Sequence, residues 1–280
     1  MRWALQFILS HSIFIASCAA ALSFQTLQLL SHPVNFYRLG FIFFASLAGY
    51  NAYWMVSRWA FSSRSSLTNL LTGSRSSLVV MVIAAAGLLI CMTRIHLVIY
   101  NTIITFLLLS LYAIPLLPFK SLHFTRKAGF LKTTVLAFAW TMVTTLIPLQ
   151  VSLAALSLQG VVVFLNRLFL MLMLCVIFDK RDAAVDKIRG LQSLATLMTP
   201  RLLHIVFTVM WLAYCYTCYV LYLLHIDGYF VWALAIAGSC TLGVYMAALQ
   251  KRGYLFYYFL VDGLMFLSAV CTGVADYFFR

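Results

Sequence analysis

Long apolar runs recur along almost the whole chain, and this pattern constrains the fold more than any other feature of the sequence. A run of about twenty apolar residues is enough to cross the hydrocarbon core of a bilayer. Nine runs of roughly this length occur, at residues 3–30, 36–60, 78–94, 97–116, 132–150, 154–178, 202–224, 229–249 and 253–275. The chain is 64% hydrophobic and only 9% charged, which is too apolar for a soluble domain. We therefore predict an all-α polytopic membrane protein with nine transmembrane helices, forming a single membrane domain over residues 1–280.

The positions of lysine and arginine predict how the chain crosses the membrane. The net charge is +13, but the basic residues are scattered between apolar runs, which favours membrane topology over nucleic-acid binding as their cause. If the N-terminus is cytoplasmic, fifteen Lys and Arg residues fall on cytoplasmic segments and three on outside segments, Arg38, Arg94 and Arg280. We therefore predict an integral protein of a bacterial inner (cytoplasmic) membrane, with the N-terminus inside and the C-terminus outside. No nucleic-acid partner is expected, and a protein partner is left open.

Half of the acidic residues of this protein are concentrated in one short segment. All six are aspartates, and Asp179, Asp182 and Asp186 fall within eight positions. In a helix, this spacing places the three carboxylates on one face, where they repel one another unless a cation lies between them. Oxygen ligands of this kind suit Mg²⁺, which typically takes one or two carboxylates together with phosphate oxygens of the substrate. The alternative is a solvated loop of mixed charge at a helix end.

The segment from Phe178 to Leu197 resembles the second aspartate motif of the UbiA superfamily of intramembrane prenyltransferases. That motif reads D-x-x-D-x-x-x-D, followed by a glycine and a stretch rich in threonine and leucine. The matching residues here are Asp179, Asp182, Asp186, Gly190 and Thr196. The resemblance implies a UbiA-like bundle of nine helices. It also implies Mg²⁺ bound by the three aspartates, an isoprenoid diphosphate or other lipid as ligand, and prenyl transfer to a small acceptor.

The first aspartate motif of the same superfamily, N-D-x-x-D, is incomplete in this chain. At the corresponding end of the second predicted span the sequence keeps Asn51 but has Ala52 and Met55 where the two aspartates belong. In this chemistry, bound Mg²⁺ ions neutralise the charge that builds up on the diphosphate leaving group. Because the first carboxylate pair is missing, we predict that prenyl transfer is weak or absent.

Two interpretations of the function therefore remain open. In the first, one Mg²⁺ is bound by the aspartate motif, and the diphosphate contacts a second set of polar side chains, Asn51, Arg58, Lys120 and Lys127. This interpretation predicts that the three aspartates face Asn51 across a cavity on the cytoplasmic side. In the second, the chain keeps the fold without the reaction and acts as a membrane scaffold, a lipid-binding partner or a small transporter. The sequence alone leaves open whether the protein is an enzyme.

Two ionisable residues are predicted to lie inside the membrane. Arg167 precedes Asp179 by twelve residues, and Asp262 follows Arg252 by ten. At the rise of an α-helix these separations correspond to depths of roughly 18 Å and 15 Å. Ionisable side chains at such depth are costly and rarely face lipid. We therefore predict that Arg167 and Asp262 form an intramembrane polar pair, directly or through one polar group, with a contribution to a substrate cavity as the alternative.

The order of the predicted helices also hints at an internal duplication. Tyr50-Asn51 and Phe178-Asp179 occupy comparable places near the ends of the second and sixth spans. The connections after the third and seventh spans are both short. These features predict two pseudo-repeat halves, approximately residues 1–130 and 131–280.

Overall fold

The computed structural model describes residues 2–61, 75–95, 99–113, 129–189 and 192–279, and these residues form helices and no strands. The α-helices are α1 (Arg2–Ser10), α2 (Ile13–Leu29), α3 (Phe36–Phe61), α4 (Arg75–Met92), α5 (Ile99–Ala113), α6 (Gly129–Leu149), α7 (Leu158–Arg189), α8 (Leu194–Leu197), α9 (Pro200–Leu223), α10 (Gly228–Ala247) and α11 (Asp262–Phe279). A 3₁₀ turn covers Leu153–Ala155, and a π-helical segment, Phe256–Val261, leads directly into α11.

The lengths and composition of these helices are those of an integral membrane protein. Among the described residues, five helical segments are long and apolar enough to cross a membrane: Phe36–Ser57, Leu158–Ile188, Pro200–Leu223, Gly228–Ala247 and Phe256–Phe279. Four shorter apolar helices cover Ile13–Leu29, Ser76–Met92, Asn101–Ser110 and Thr133–Leu149. Each predicted span therefore coincides with an apolar helix, while the number of nine crossings stays a prediction.

The helix α7 lies at the centre of the bundle. In its most apolar window 61% of the residues are buried, against 28% in α9 and 39% in α10. It packs between α6 and α9, and a closed circuit of helices continues from α9 through α10, α11 and α2 back to α6. The helices α3 and α4 pack outside α2, and α5 packs outside α6. The helix α7 is thus one member of this circuit, and the polar residues at its end belong to the most buried of the five long apolar helices.

Small residues let the inner helices approach one another closely. In α2, the side chains of Ala16, Cys18 and Ala19 are fully buried, and in α6 those of Ala137 and Ala139 are. Lipid tails are as apolar as these side chains, so helix association in a membrane depends on close packing rather than on a hydrophobic driving force. The small faces of α2 and α6 explain why these two helices can both contact several neighbours.

The first predicted span is not one continuous helix, which corrects the sequence-based expectation. The helix breaks between α1 and α2, where Ser12 adopts a left-handed conformation with φ of 60°. The ring of His11 stabilises the break, because Nδ1 lies 3.0 Å from the carbonyl oxygen of Phe7 and Nε2 lies 2.9 Å from Oγ of Ser76. The break lies at the short polar segment of residues 10–12, which contains no glycine or proline, and the apolar run continues on both sides of it, so hydropathy averaged over the run predicted one span.

Local capping sets the start of two of the long helices. Before α3, the Oδ1 atom of Asn35 accepts hydrogen bonds from the backbone N–H groups of Tyr37, at 2.9 Å, and Arg38, at 3.3 Å. Before α9, Oγ1 of Thr199 accepts from the N–H of Leu202, and Pro200 occupies the first helical position. Both arrangements satisfy N–H groups that have no partner within the helix.

Candidate functional site

A cavity of about 630 Å³ opens between the α1–α2 break, α3, α6, α7 and the last helix. Its polar lining comprises Ser10, Ser12, Thr133, Asp179, Arg181, Asp182, Asp186 and Asp262, with the hydroxyls of Tyr50, Tyr53, Tyr254 and Tyr258. Its apolar lining comprises Leu9, Phe14, Ile15, Trp54, Leu136, Trp140, Met171, Leu174, Cys175, Phe178 and Met265. Carboxylates and a long apolar surface therefore share one cavity, an arrangement suited to an amphiphilic ligand.

The aspartate stripe is helical and lies on the cavity. The helix α7 continues to Arg189, well beyond the predicted end of its span, so the three aspartates fall on a helix rather than in a loop. Asp179, Asp182 and Asp186 all line the cavity. The predicted span ended at residue 178, so the helical continuation corrects that boundary, and within this helix the three aspartates share a face as their spacing predicted.

Asp179 also holds neighbouring elements together. Its Oδ2 accepts a hydrogen bond of 2.6 Å from Oγ1 of Thr133 on α6 and one of 3.2 Å from the backbone N–H of Leu194 at the start of α8. Hydrogen bonds to a carboxylate are stronger than those between neutral groups. The Asp179 carboxylate therefore fixes α6, α7 and α8 relative to one another beside the cavity.

Asp182 is paired with its neighbour in sequence. Nε of Arg181 donates to Oδ1 at 2.7 Å and Nη2 donates to Oδ2 at 2.8 Å, giving a bidentate pair. The guanidinium also lies against three aromatic rings, with Cζ 4.8 Å from the centroids of Phe178 and Tyr258 and 5.4 Å from that of Tyr257. The cation of Arg181 thus offsets repulsion within the aspartate stripe. The sequence places Arg181 next to the stripe, but it could not show these aromatic contacts, because Tyr257 and Tyr258 come from a distant segment.

The described residues contain no preassembled metal site. No three His, Cys, Asp or Glu side chains within the described ranges lie close enough together to hold one ion. Mg²⁺, however, commonly takes only one or two carboxylates and completes its shell with water and phosphate oxygens. Carboxylates lining a cavity therefore fit Mg²⁺ that arrives together with a phosphorylated ligand.

Asn51 does not face the aspartates, contrary to the sequence-based expectation. Its side chain is 4% exposed and does not line the cavity; its amide nitrogen donates to the carbonyl oxygens of His11, at 2.9 Å, and Leu47, at 2.8 Å. The bond to His11 braces α3 against the α1–α2 break, while Leu47 lies on α3 itself. Instead, the neighbouring residues Tyr50 and Tyr53 reach the cavity.

The other side chains that are predicted to bind the diphosphate lie outside the described part of the structure. Arg58 lies in α3, but its side chain falls outside the described part of the structure. Lys120 and Lys127 also lie outside the described residues. Their proposed contact with a diphosphate therefore stays a prediction.

Arg167 and Asp262 do not form the predicted ion pair. Nη2 of Arg167 donates to Oε1 of Gln25 at 2.7 Å and to Oγ1 of Thr26 at 3.4 Å, both on α2. Asp262 instead lines the cavity. Depth estimates give the position of a residue along its helix axis, but not the direction in which its side chain points around that axis. Here the side chain of Arg167 contacts α2, whereas Asp262 lines the cavity. Gln25 was the partner that the sequence analysis missed.

The aromatic part of the cavity wall is internally bonded. The indole Nε1 of Trp140 donates to the hydroxyl oxygen of Tyr50 at 3.0 Å, and the ring centroids lie 5.9 Å apart. Phe14 stacks on Phe259 with a centroid separation of 5.2 Å. These contacts hold Phe14, Tyr50 and Trp140, three aromatic residues of the cavity lining, in place.

Comparison with known proteins identifies the architecture. No family model matches the sequence, and no curated protein matches it. The structure is similar to that of a UbiA homologue from Aeropyrum pernix K1 with a TM-score of 0.60 and 14% identity, covering 96% of this chain and 98% of that one. It is also similar to the structure of a digeranylgeranylglyceryl phosphate synthase with a TM-score of 0.56 and 14% identity, covering 98% and 99%. The chain therefore has the fold of the UbiA superfamily over nearly its whole length, which confirms the predicted fold.

Proposed function

We propose that this protein is a prenyltransferase that binds an isoprenoid diphosphate in the cavity and transfers its prenyl group to a small acceptor. The observation that carries the proposal is the shared lining of that cavity. The aspartate stripe of α7 and a wall of aromatic and aliphatic side chains border one space of about 630 Å³ inside a UbiA-type fold. Cavities of about 300–1,000 Å³ are typical of small-molecule sites.

The stripe end of the cavity suits the diphosphate. Mg²⁺ would be held there by Asp179, Asp182 and Asp186, and when bound it supplies positive charge against the diphosphate. Arg181 is already in position beside the same carboxylates and can donate to phosphate oxygens when it leaves Asp182. The chain thus places the cation of Arg181 and the carboxylates that would bind Mg²⁺ at the same end of the cavity.

The aromatic wall suits the hydrocarbon chain and the charge that forms on it. As the bond between C1 and the diphosphate oxygen breaks, the electron pair leaves with the diphosphate and positive charge develops on the prenyl group. Tyr50 and Trp140 line the cavity and could stabilise that charge, since aromatic rings attract cations. The positions of these rings are fixed by the bond between them, so little reorganisation is needed.

We expect slow transfer rather than rapid turnover. The residues that stand where the first motif has carboxylates, Ala52 and Met55, carry no charge. The described part of α3 contributes Tyr50, Tyr53 and Trp54 to the cavity instead. Among the described side chains that line the cavity, those of the aspartate stripe and Arg181, all on α7, are the ones placed to neutralise the leaving group.

An assay of the purified protein in lipid nanodiscs tests this proposal. Prenyl diphosphates of several lengths are supplied with Mg²⁺ and a panel of acceptors, and prenylated product is measured by mass spectrometry. We expect slow, Mg²⁺-dependent product formation that Asp186→Asn abolishes and the exposed control Asp227→Asn does not change. Binding of the diphosphate without product from any acceptor would favour the lipid-binding alternative, and absence of both would overturn the proposal.

A further inference from the structure

We infer that Asp262 recognises the acceptor, which is a neutral molecule with a hydroxyl group, and receives the hydroxyl proton during transfer. The inference rests on the proposed function and names the acceptor class for the same cavity. It assigns a chemical role to the one aspartate of the cavity that lies outside the aspartate stripe.

The position of Asp262 is set by the π-helical segment that precedes it. Asp262 follows Phe256–Val261 immediately and begins α11. Segments of π-helix are uncommon and occur frequently at functional sites. Asp262 lines the cavity together with Tyr258 and Met265, so this face of the last helix is turned toward the cavity.

The carboxylate of Asp262 is buried but has no hydrogen-bond or ion-pair partner among the described residues. The residue is 6% exposed, and the ion pair found among the described residues joins Arg181 to Asp182. A buried ionisable side chain without a partner is costly, and within a membrane such residues typically mark a functional pathway. The hydrogen-bonding capacity of Asp262 is therefore available to a molecule in the cavity.

A nearby buried polar cluster shows what a structural role looks like in the same bundle. The Gln25 side chain accepts from Arg167 and donates to both the carbonyl and the hydroxyl oxygen of Ser268, at 2.8 and 3.0 Å. Ser268 lies on α11, less than two turns beyond Asp262. A purely structural role would be expected to give Asp262 similar hydrogen bonds, and the described residues provide none to its carboxylate.

The depth of Asp262 matches the place where the reacting carbon would lie. Tyr258 contacts the Arg181 guanidinium that binds Asp182. Asp262 is four residues further along, where the π-helical segment passes into α11. A diphosphate at the Arg181–Asp182 pair would thus place C1 of the prenyl group near Asp262.

The chemistry of the group selects the acceptor. When it is ionised, the carboxylate of Asp262 accepts hydrogen bonds and donates none, so in that form it binds a hydroxyl and repels another anion. In the transfer step, the C1–oxygen bond of the prenyl diphosphate breaks and its electron pair leaves with the diphosphate. The acceptor oxygen forms the new bond to C1, and its proton passes to the carboxylate of Asp262. The products are a prenyl ether and diphosphate.

Two naphthalene probes test this assignment, because they differ only in the group offered to Asp262. The protein in nanodiscs is titrated with 2-naphthol and with 2-naphthoate by fluorescence, and transfer from geranyl diphosphate to 2-naphthol is followed in parallel. We expect a clear preference for 2-naphthol over 2-naphthoate. In Asp262→Asn, the preference for 2-naphthol over 2-naphthoate should become smaller. The rate of prenyl transfer should fall by about 100-fold, which is the lower end of the range for loss of a general base. Binding of geranyl diphosphate should change less than about three-fold, because the aspartate stripe is intact.

Two further variants separate a chemical role from a structural one. Asp262→Glu should restore part of the preference and of the rate, and Asp276→Asn, a change on the same helix outside the cavity, should alter neither. Unchanged preference and rate in Asp262→Asn would overturn the inference. If the wild-type protein does not bind geranyl diphosphate, the proposed function fails. If it binds geranyl diphosphate but transfers the prenyl group to no acceptor, the transfer step fails. The proton-accepting role then falls with it, while the fluorescence titrations still decide whether Asp262 recognises hydroxyl groups.

Discussion

Arg181 binds Asp182 through two parallel hydrogen bonds, of 2.7 and 2.8 Å, while its guanidinium lies against three aromatic rings. The pair occupies the middle of a carboxylate stripe that would otherwise carry like charges alone. In this state the Asp182 oxygens are engaged by the protein itself. A metal ion and a diphosphate must therefore exchange partners with this pair, the ion taking Asp182 and the phosphate taking Arg181.

This exchange predicts opposite effects of one substitution on two ligands. In Arg181→Gln, Asp182 is released, so binding of Mn²⁺ as a spectroscopic substitute for Mg²⁺ should strengthen by about three- to ten-fold in the absence of substrate. Affinity for geranyl diphosphate should fall, because a charge-assisted contact is lost. Electron paramagnetic resonance and equilibrium binding measure the two effects. The matched control is Arg252→Gln, whose guanidinium bonds the carbonyl oxygen of Ala247 outside the cavity; equal changes in both variants would contradict the exchange.

The hydrogen bond from Thr133 to Asp179 is expected to support both stability and ligand binding. Thr133→Val removes a buried donor to a carboxylate, which costs about 1.5–3 kcal/mol of unfolding free energy. It should also weaken diphosphate binding, because Asp179 loses its fixed orientation. Reversible unfolding in mixed detergent micelles measures the first effect. Thr208→Val is the control, since that hydroxyl bonds only its own helix; a loss no larger than the control's would show that the contact contributes little.

The bond between Trp140 and Tyr50 should be measurable as a coupling. Tyr50→Phe leaves the indole N–H of a nearly buried Trp140 without its acceptor, and Trp140→Phe removes the donor. We expect the double variant to be more stable than the sum of the single losses implies, by about 1 kcal/mol. A thermodynamic cycle from unfolding measurements gives this value directly. Strict additivity would mean that the two rings contribute to the cavity wall independently.

The intramembrane residues give two contrasting cycles. Arg167 bonds Gln25, so Arg167→Leu and Gln25→Leu together should cost less than the sum of the separate changes, by roughly 1–2 kcal/mol. Arg167→Leu and Asp262→Leu should instead be additive, because the structure does not pair them. Melting temperatures of all variants in one detergent provide the comparison. Partial recovery in the Arg167–Asp262 double variant would restore the pairing that the sequence suggested.

The sequence was informative where the physical signal lies along one helix. Apolar runs located the helices, and the spacing of Asp179, Asp182 and Asp186 predicted a shared face on α7. Hydropathy averaged over the run did not reveal the break at Ser12, because the polar segment of residues 10–12 is short and apolar residues flank it on both sides. The features that the sequence predicted correctly are those that depend on periodicity or composition alone.

Relationships between helices were beyond the reach of the sequence. The orientation of a side chain around its helix axis decides its partners, and this angle is set by packing against distant segments. Arg167 therefore meets Gln25 rather than Asp262, and Asn51 bonds the backbone of His11 rather than facing the cavity. For the same reason the aromatic surroundings of Arg181 became visible only in the folded structure.

Equilibrium binding of geranyl diphosphate, with and without Mg²⁺, tests the central claim most directly. We predict saturable binding that strengthens at least about ten-fold with Mg²⁺, because one or two carboxylates and the phosphate oxygens complete the ion's shell. In Asp182→Asn this enhancement should largely disappear, while the control Asp227→Asn keeps it. Binding that is equally strong with and without Mg²⁺, and unchanged in Asp182→Asn, would contradict a diphosphate site at the aspartate stripe.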